Sequence, residues 1–190
     1  MKLILASTSK YRAQLLSQLG WEFSSIGPDV DEDAQKKLIS DPKKLCEVLS
    51  LMKAQDVARK NPDAYVIGSD QVCTFEGEIF GKPHDFERAH RQISKLQGKS
   101  HDLLTGVAIV HPSGVVQFIN TTRLHMRKLT SKEIELYLTE DKPYDCAGSY
   151  RLEARGIKLF EKIEMTDHTS IIGLPLIQLS NELIKLGFSI

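Results

Sequence analysis

Little in the sequence points away from an ordinary cytosolic domain, and several absences narrow the field. Cysteine is scarce: Cys46, Cys73 and Cys146 are far apart, odd in number and never in C-x-x-C spacing. That excludes a disulfide framework and a structural zinc site, and a reducing, cytoplasmic compartment fits best. Net charge is absent too, because 25 basic and 25 acidic side chains cancel. A balanced chain has no broad attraction for nucleic acid polymers or membrane surfaces, although a local basic patch can still face a small anion. Long hydrophobic runs are missing. The apolar opening Met1 to Ala6 is too short for a signal peptide, Ser7-Thr8-Ser9-Lys10 follows at once, and no later stretch approaches a membrane span. The six histidines form no HxxxH or HExxH pattern. With no repeat, low-complexity tract or linker, the 190 residues are most simply one domain over 1–190, with room for two lobes about a cleft.

What is present centres on Ala64 to Pro83. Ala64-Tyr65-Val66-Ile67 is a short apolar run of β-formers bounded by Asn61-Pro62-Asp63 and Gly68-Ser69-Asp70-Gln71, which predicts a buried strand ending at the acid Asp70. In α/β sheets the carboxyl end of a strand is where ligands sit, so Asp70 is a candidate for chemistry. Phe75 to Ile79 carries a turn at Glu76-Gly77 that brings Gly81-Lys82-Pro83 back toward the acid.

The second informative stretch is the first. Leu3 to Ala6 reads as a buried strand, and Leu15, Leu16 and Leu19 recur at helical spacing before Gly20. Ser7, Ser9 or both can cap that helix, yet Lys10 and Arg12 fall in its first turn. The macrodipole disfavours cations there by roughly 0.3–1 kcal/mol each, a conflict that a docked anion resolves. Strand, Ser-x-Ser-x-x-Arg, helix is chemically a phosphate cradle, with hydroxyls, helix N–H groups and a guanidinium fork. It is not a Walker loop, since the glycines and the Gly-Lys-Ser/Thr ending are missing.

Trp21 to Ile26 suggests a second strand. In the following loop four acids fall within five residues, Asp29, Asp31, Glu32 and Asp33; solvent tolerates them and a bound divalent cation would relieve them. If one reaches a metal, alternation in an extended segment favours Glu32. Asp41-Pro42 starts a helix with a stripe of Leu45, Val48, Leu49 and Met52, flanked by Lys53, whose ammonium can reach a cleft edge or simply snorkel. Asp85 opens another helix with Phe86, Ala89, Ile93 and Leu96 inward. Leu103 to Val110 and Val115 to Met126 form a long hairpin without evident chemistry. Thr130 to Glu133 is a capping box for a helix to about Leu138. Lys142 to Tyr150 is a turn-rich loop, Glu153 precedes Gly156, Ile157 to Ile163 reads as a strand, Asp167-His168-Thr169 as a turn or cap, and Pro175 begins a last helix with Leu176, Leu179, Leu183 and Leu186 inward.

Taken in order, Ala6-Ser7-Thr8-Ser9-Lys10-Tyr11-Arg12, Val30-Asp31-Glu32, Lys53-Ala54, Gly68-Ser69-Asp70-Gln71-Val72, Gly81-Lys82-Pro83, Thr105-Gly106-Val107-Ala108, Ala147-Gly148-Ser149 and Ile172-Gly173-Leu174-Pro175 closely resemble the Maf family of nucleoside triphosphate pyrophosphatases across essentially the whole chain. The resemblance implies an α/β Maf/ITPase-like fold with an elongated mixed sheet flanked by helices and two lobes around a nucleotide cleft, as a homodimer. It implies hydrolysis of a nucleoside triphosphate to the monophosphate and pyrophosphate, assisted by a divalent metal, Mg²⁺ or Mn²⁺. By position, Asp70 matches the catalytic acid, Ser7, Ser9 and Arg12 the phosphate loop, Lys53 and Lys82 the cleft lysines, and Glu32 a carboxylate on the metal side with Asp70. Water activated by Asp70 would attack the α-phosphorus while Arg12, Lys53 and Lys82 neutralise the leaving pyrophosphate.

Three positions track base preference in that family, here Tyr11, Gln71 and Glu153. The trio looks like the branch that takes 7-methyl-GTP, with Tyr11 where that branch usually has Trp; the branch acting on dTTP and UTP has Arg, Thr and Gln. N7-methylated guanine is cationic, so the Tyr11 face can gain about 0.5–2 kcal/mol from it, and Glu153 can accept from guanine N1–H and its amine or pair with Arg151 or Arg155. The rivals are a dTTP/UTP pyrophosphatase, a phosphatase releasing orthophosphate, and a nucleotide-binding regulator of cell division with little turnover.

Overall fold

A computed structural model describes all residues from Met1 to Ile190. It is a mixed α/β fold of seven strands and six helices, with sheet order β2-β1-β3-β5-β6-β7 and β4 paired to β3. The strands are β1 (Leu3–Leu5), β2 (Phe23–Ser25), β3 (Tyr65–Phe75), β4 (Glu78–Phe80), β5 (Ser100–His111), β6 (Gly114–Met126) and β7 (Phe160–Glu164). The helices are α1 (Lys10–Ser17), α2 (Glu32–Leu38), α3 (Pro42–Arg59), α4 (Phe86–Leu96), α5 (Ser131–Asp141) and α6 (Leu176–Lys185). Strand β1 pairs in parallel with β2 and β3, whereas β3–β4 and β6–β7 are antiparallel, so the sheet is mixed as expected. None of the helices is long and apolar enough to cross a membrane. The chain forms two compact units, one of Met1–Gln71, Thr105–Asn120 and Asp167–Ile190, the other of Val72–Leu104 and Thr121–Thr166.

In the first unit strand alternation sorts the core into two layers. Leu3, Leu5, Ile67, Val107 and Ile109 pack with Leu15 and Leu16 of α1 and Leu176, Leu179 and Leu183 of α6. Ile4, Ala6, Val66 and Ala108 pack with Ala54 and Val57 of α3 on the opposite face. Each fully buried aliphatic side chain contributes about 1.5–3 kcal/mol, so the period of two commits each strand to one register. The Asp41 carboxylate caps α3 by accepting from Lys44 N–H, and Pro42 stands in its first turn, as the sequence indicates.

Five expectations need correction. Strand β3 does not stop at Asp70; it runs on to Phe75, so the acid is mid-strand. Gly68 is not a terminator but a contact point, since a Cβ there would lie 2.2 Å from the Ser50 carbonyl oxygen of α3. Residues 29–33 are not all loop: Asp31 accepts from Ala34 N–H as the cap of α2, and Glu32 and Asp33 occupy its first turn, where acids complement the helix dipole. The stripe on α3 is rotated, with Cys46, Ser50 and Lys53 buried beside Leu45 and Leu49, while Val48 and Met52 are half-buried. Strand β7 begins at Phe160, because Arg155–Leu159 winds as a 3-10 turn in which Gly156 is buried and packed on Arg151.

In the second unit the hairpin turn at Glu76-Gly77 has both residues at positive φ, 52° and 80°, the geometry of a tight two-residue loop. The capping box at Thr130 and Glu133 is formed in both directions, and α5 extends to Asp141. His101, Tyr150 and Phe160 form a buried aromatic group.

Candidate active site

The alternation of β3 sets out the site within the first unit. Ser69 and Gln71 face the α1 and α6 layer; Asp70 faces α3. On the α3 side, Lys53 is only 7% exposed and Asp70 8%. Lys53 Nζ donates to Asp70 Oδ1 at 2.6 Å and lies 2.8 Å from Glu32 Oε1. The close approach of α3 at Gly68 is what brings Lys53 to this depth. Burial pushes the Glu32 carboxyl up, but its bond to Lys53 and the charges of Lys53 and Lys36 outweigh that and leave its pKa below the ordinary value. Asp70 Oδ2 takes no hydrogen bond from the protein, so one carboxylate oxygen is held and the other is available. Cys46 Sγ donates to the Asp70 carbonyl at 3.4 Å. Burial, then the Asp70 charge, pushes this thiol up to about 12, so it stays protonated and is no nucleophile.

On the other face, Ser9 caps α1. Its Oγ accepts from Arg12 N–H at 3.4 Å, and Ser7 Oγ accepts from Ser9 N–H at 3.1 Å. Both hydroxyls act as acceptors toward the backbone, which leaves their protons to donate to a ligand. No acid sits in the first turn of α1 to offset Lys10 and Arg12. Arg12 is pinned, with Nε donating to Gly173 O at 3.1 Å and Nη1 to Ser69 O at 2.8 Å, which leaves Nη2. Burial pulls the Arg12 pKa down, with the Asp70 charge opposing it. Ser69 Oγ donates to the same Gly173 oxygen at 2.8 Å.

The segment from Asp167 to Gly173 gathers these contacts, a role the sequence reading did not give it. Its carbonyls also receive the Gln71 and Thr105 side chains. Asp167 fixes the segment: Oδ1 accepts from Thr169 N–H and Oγ1–H, and Oδ2 accepts from Ile177 N–H at the start of α6. The signal available was an acid two residues before Thr169, which was legible only as a cap.

Ser7, Ser9, Tyr11, Arg12, Glu32, Lys53, Asp70 and Gln71 all belong to the first unit, and the structure joins Glu32, Lys53 and Asp70 directly. Tyr11 is 47% exposed. Lys82 and Glu153 belong to the second unit and are exposed. Arg155 pairs with Glu140 rather than with Glu153, and Arg151 donates to the Asp141 carbonyl. No group of three or more His, Cys, Asp or Glu side chains is placed to hold a metal ion.

The profile of the Maf-like protein family matches residues 2–186. The chain belongs to the Maf family. Similar relatives include the 7-methyl-GTP pyrophosphatase of Bdellovibrio bacteriovorus, 48% identical over 94% of this chain and 93% of that one. Those of Pseudomonas savastanoi pv. phaseolicola and Xanthomonas axonopodis pv. citri are 43% and 42% identical, covering 99% and 100% of this chain and 98% of each relative. Among solved structures, the nucleoside-triphosphatase / dITP/XTP pyrophosphatase of Mycobacterium abscessus is 13% identical with a TM-score of 0.40 over 68% of this chain and 76% of that one, too distant to add to the family assignment.

Proposed function

We propose that this Maf-family chain hydrolyses 7-methyl-GTP to 7-methyl-GMP and pyrophosphate. The observation that carries the chemistry is the buried Asp70 carboxylate, with Oδ1 held by Lys53 and Oδ2 unused by the protein; the near full-length likeness to enzymes of that name carries the substrate. A water accepted by Oδ2 attacks the α-phosphorus and gives its proton to the carboxylate, while the bond from that phosphorus to the bridging oxygen breaks and pyrophosphate departs with the electron pair. Lys53 holds Asp70 in place for this task. Arg12 Nη2 and the hydroxyls of Ser7 and Ser9 take phosphate oxygens; each well-placed donor is worth a few kcal/mol in the transition state.

The donors suit a hard divalent cation, Mg²⁺ or Mn²⁺. Asp70 and Glu32 already converge on one positive charge, and such ions commonly take one or two carboxylates and fill the remaining positions with phosphate oxygens and water. When bound, the ion supplies Lewis-acid stabilisation of phosphate oxygens. The exposed Tyr11 ring offers a face to the methylated, cationic base.

The test is product release from 7-methyl-GTP, GTP, dTTP, UTP and ATP with Mg²⁺ or Mn²⁺, reading orthophosphate with and without added inorganic pyrophosphatase. Signal only with the coupling enzyme, and largest for 7-methyl-GTP, is expected. A preference for dTTP or UTP would overturn the base assignment, direct orthophosphate release the site of attack, and silence with every nucleotide the catalytic reading itself.

A further inference from the structure

Helix α2 lies beside the Asp70–Lys53 pair yet adds nothing to the core. It is 7 residues long and buries none of its side chains, and so short a helix is marginal without tertiary packing. Local electrostatics hold it instead: Asp31 accepts from Ala34 N–H at 2.9 Å, Glu32 and Asp33 stand in the first turn, and Lys36 and Lys37 in the last. The segment is anchored on either side of the helix. Before it, Asp29 N–H donates to Asp56 Oδ2 of α3 at 2.9 Å, and a Cβ at Gly27 would stand 2.8 Å from Thr8 Cγ2. After it, Asp41 caps α3.

Between those anchors Glu32 reaches inward. Its Oε1 lies 2.8 Å from Lys53 Nζ, which donates to Asp70 Oδ1 at 2.6 Å. The Lys53 and Asp70 side chains are 9% and 11% exposed and that of Glu32 38%, so Asp70 is the buried end of this row of charges and Glu32 its surface end. Lys36, one turn on, lies 3.5 Å from Glu32 Oε2 and braces the carboxylate from its other side.

We propose that α2 is a lid over the Asp70–Lys53 pair, latched by Glu32 on Lys53, and that it opens by local unfolding between Asp29 and Asp41. The inference rests on Asp70 as the reacting carboxylate and extends that reading, because opening uncovers the acid and its lysine together. Segments with little buried apolar surface are those that open at the lowest free energy.

The lid is tested on the whole protein without nucleotide, by amide hydrogen exchange and by acetylation of lysines with acetic anhydride, both read by mass spectrometry. In the wild type the amides of α2 should exchange about a hundredfold faster than those of the buried Leu49 and Val57 of α3, and Lys53 should acetylate far more slowly than the exposed Lys43. Glu32→Ala removes the latch and Asp31→Ala the helix cap. Each should raise both α2 exchange and Lys53 acetylation about fivefold or more, with Leu49 and Val57 unchanged as the sign of an intact fold. Asp31→Ala leaves the Glu32–Lys53 pair in place, so a rise there reports opening and not a lost partner. Wild-type α2 amides as protected as Leu49, Lys53 as reactive as Lys43, or acetylation that rises in Glu32→Ala alone would each overturn the lid. Silence of the enzyme toward every nucleotide would overturn the catalytic reading and leave the lid standing.

Discussion

Lys53 Nζ stands 2.6 Å from Asp70 Oδ1, and both side chains are buried. The two positions are therefore not equivalent to mutation. Lys53→Met strands a carboxylate in a poorly solvated place and should cost about 3 kcal/mol of stability in urea unfolding, with loss of activity. In Asp70→Asn the lysine keeps Glu32 as a partner at 2.8 Å, so the loss should be about 1 kcal/mol, while turnover falls by roughly a hundredfold or more. An Asp70→Asn protein with full turnover would remove the carboxylate from the mechanism.

Gly173 supports Arg12 by being a glycine. Its φ is +114°, and a Cβ there would stand 3.1 Å from Arg12 Nε. Gly173→Ala should lose about 1–3 kcal/mol from backbone strain and displace the guanidinium from the Gly173 and Ser69 carbonyls. Displacement should raise KM for any nucleoside triphosphate by about tenfold, regardless of base, because a phosphate contact is lost rather than a base contact. A change confined to one base would contradict the assignment of Arg12 to phosphate.

Asp167 is 3% exposed and joins the 3-10 segment at residues 168–172 to the start of α6 through Thr169 and Ile177. Asp167→Ala leaves those N–H groups unmatched and should destabilise by about 3 kcal/mol in chemical denaturation. Because the same segment carries the carbonyls that hold Arg12, Ser69, Thr105 and Gln71, activity should fall even at temperatures where the variant is fully folded. Unimpaired kinetics in a folded Asp167→Ala protein would separate the segment from the site.

The parts of this site that were legible in sequence are those whose cause is local. A cap before Pro42, hydroxyls before the cationic first turn of α1, and an acid beside an apolar β-run each announce themselves within a few residues. Helix α2 was not legible, because it buries none of its side chains and so carries no apolar stripe. The continuation of β3 past Asp70 was hidden because Gly68-Ser69 has the composition of a turn, while the true reason for the glycine is the Ser50 carbonyl of α3. Thr105 and Gly173 stand in motifs that the sequence displays and Asp167 in a readable turn, but their roles were not legible, because they lie in hydrogen bonds to residues distant in the chain. Arg12 and Gly173 are 161 positions apart, a relation no local pattern encodes.

The second unit offers a pH prediction away from the chemistry. Tyr150 O–H donates to Cys73 Sγ, so the His101 Nε2 that lies 2.9 Å from the same phenol must be the donor of that pair. The unprotonated Nδ1 is buried without a hydrogen-bond partner, and a second proton would have to bind there. Burial accordingly pushes the ring's pKa down to about 4, below its ordinary 6.5, with a smaller opposing pull from Asp102. A depressed pKa means that the unfolded chain takes up a proton first as pH falls. The stability held by the neutral ring is complete above pH 6.5 and drains away toward pH 4, by about 3 kcal/mol in total. His101→Phe keeps an aromatic ring beside Tyr150 and Phe160 and removes the titration, so its unfolding free energy between pH 4 and pH 6.5 should fall less steeply than that of the wild type. Parallel pH profiles for the two proteins in urea unfolding would show that His101 titrates alike in the folded and unfolded chain, and would refute the burial penalty on its protonated form.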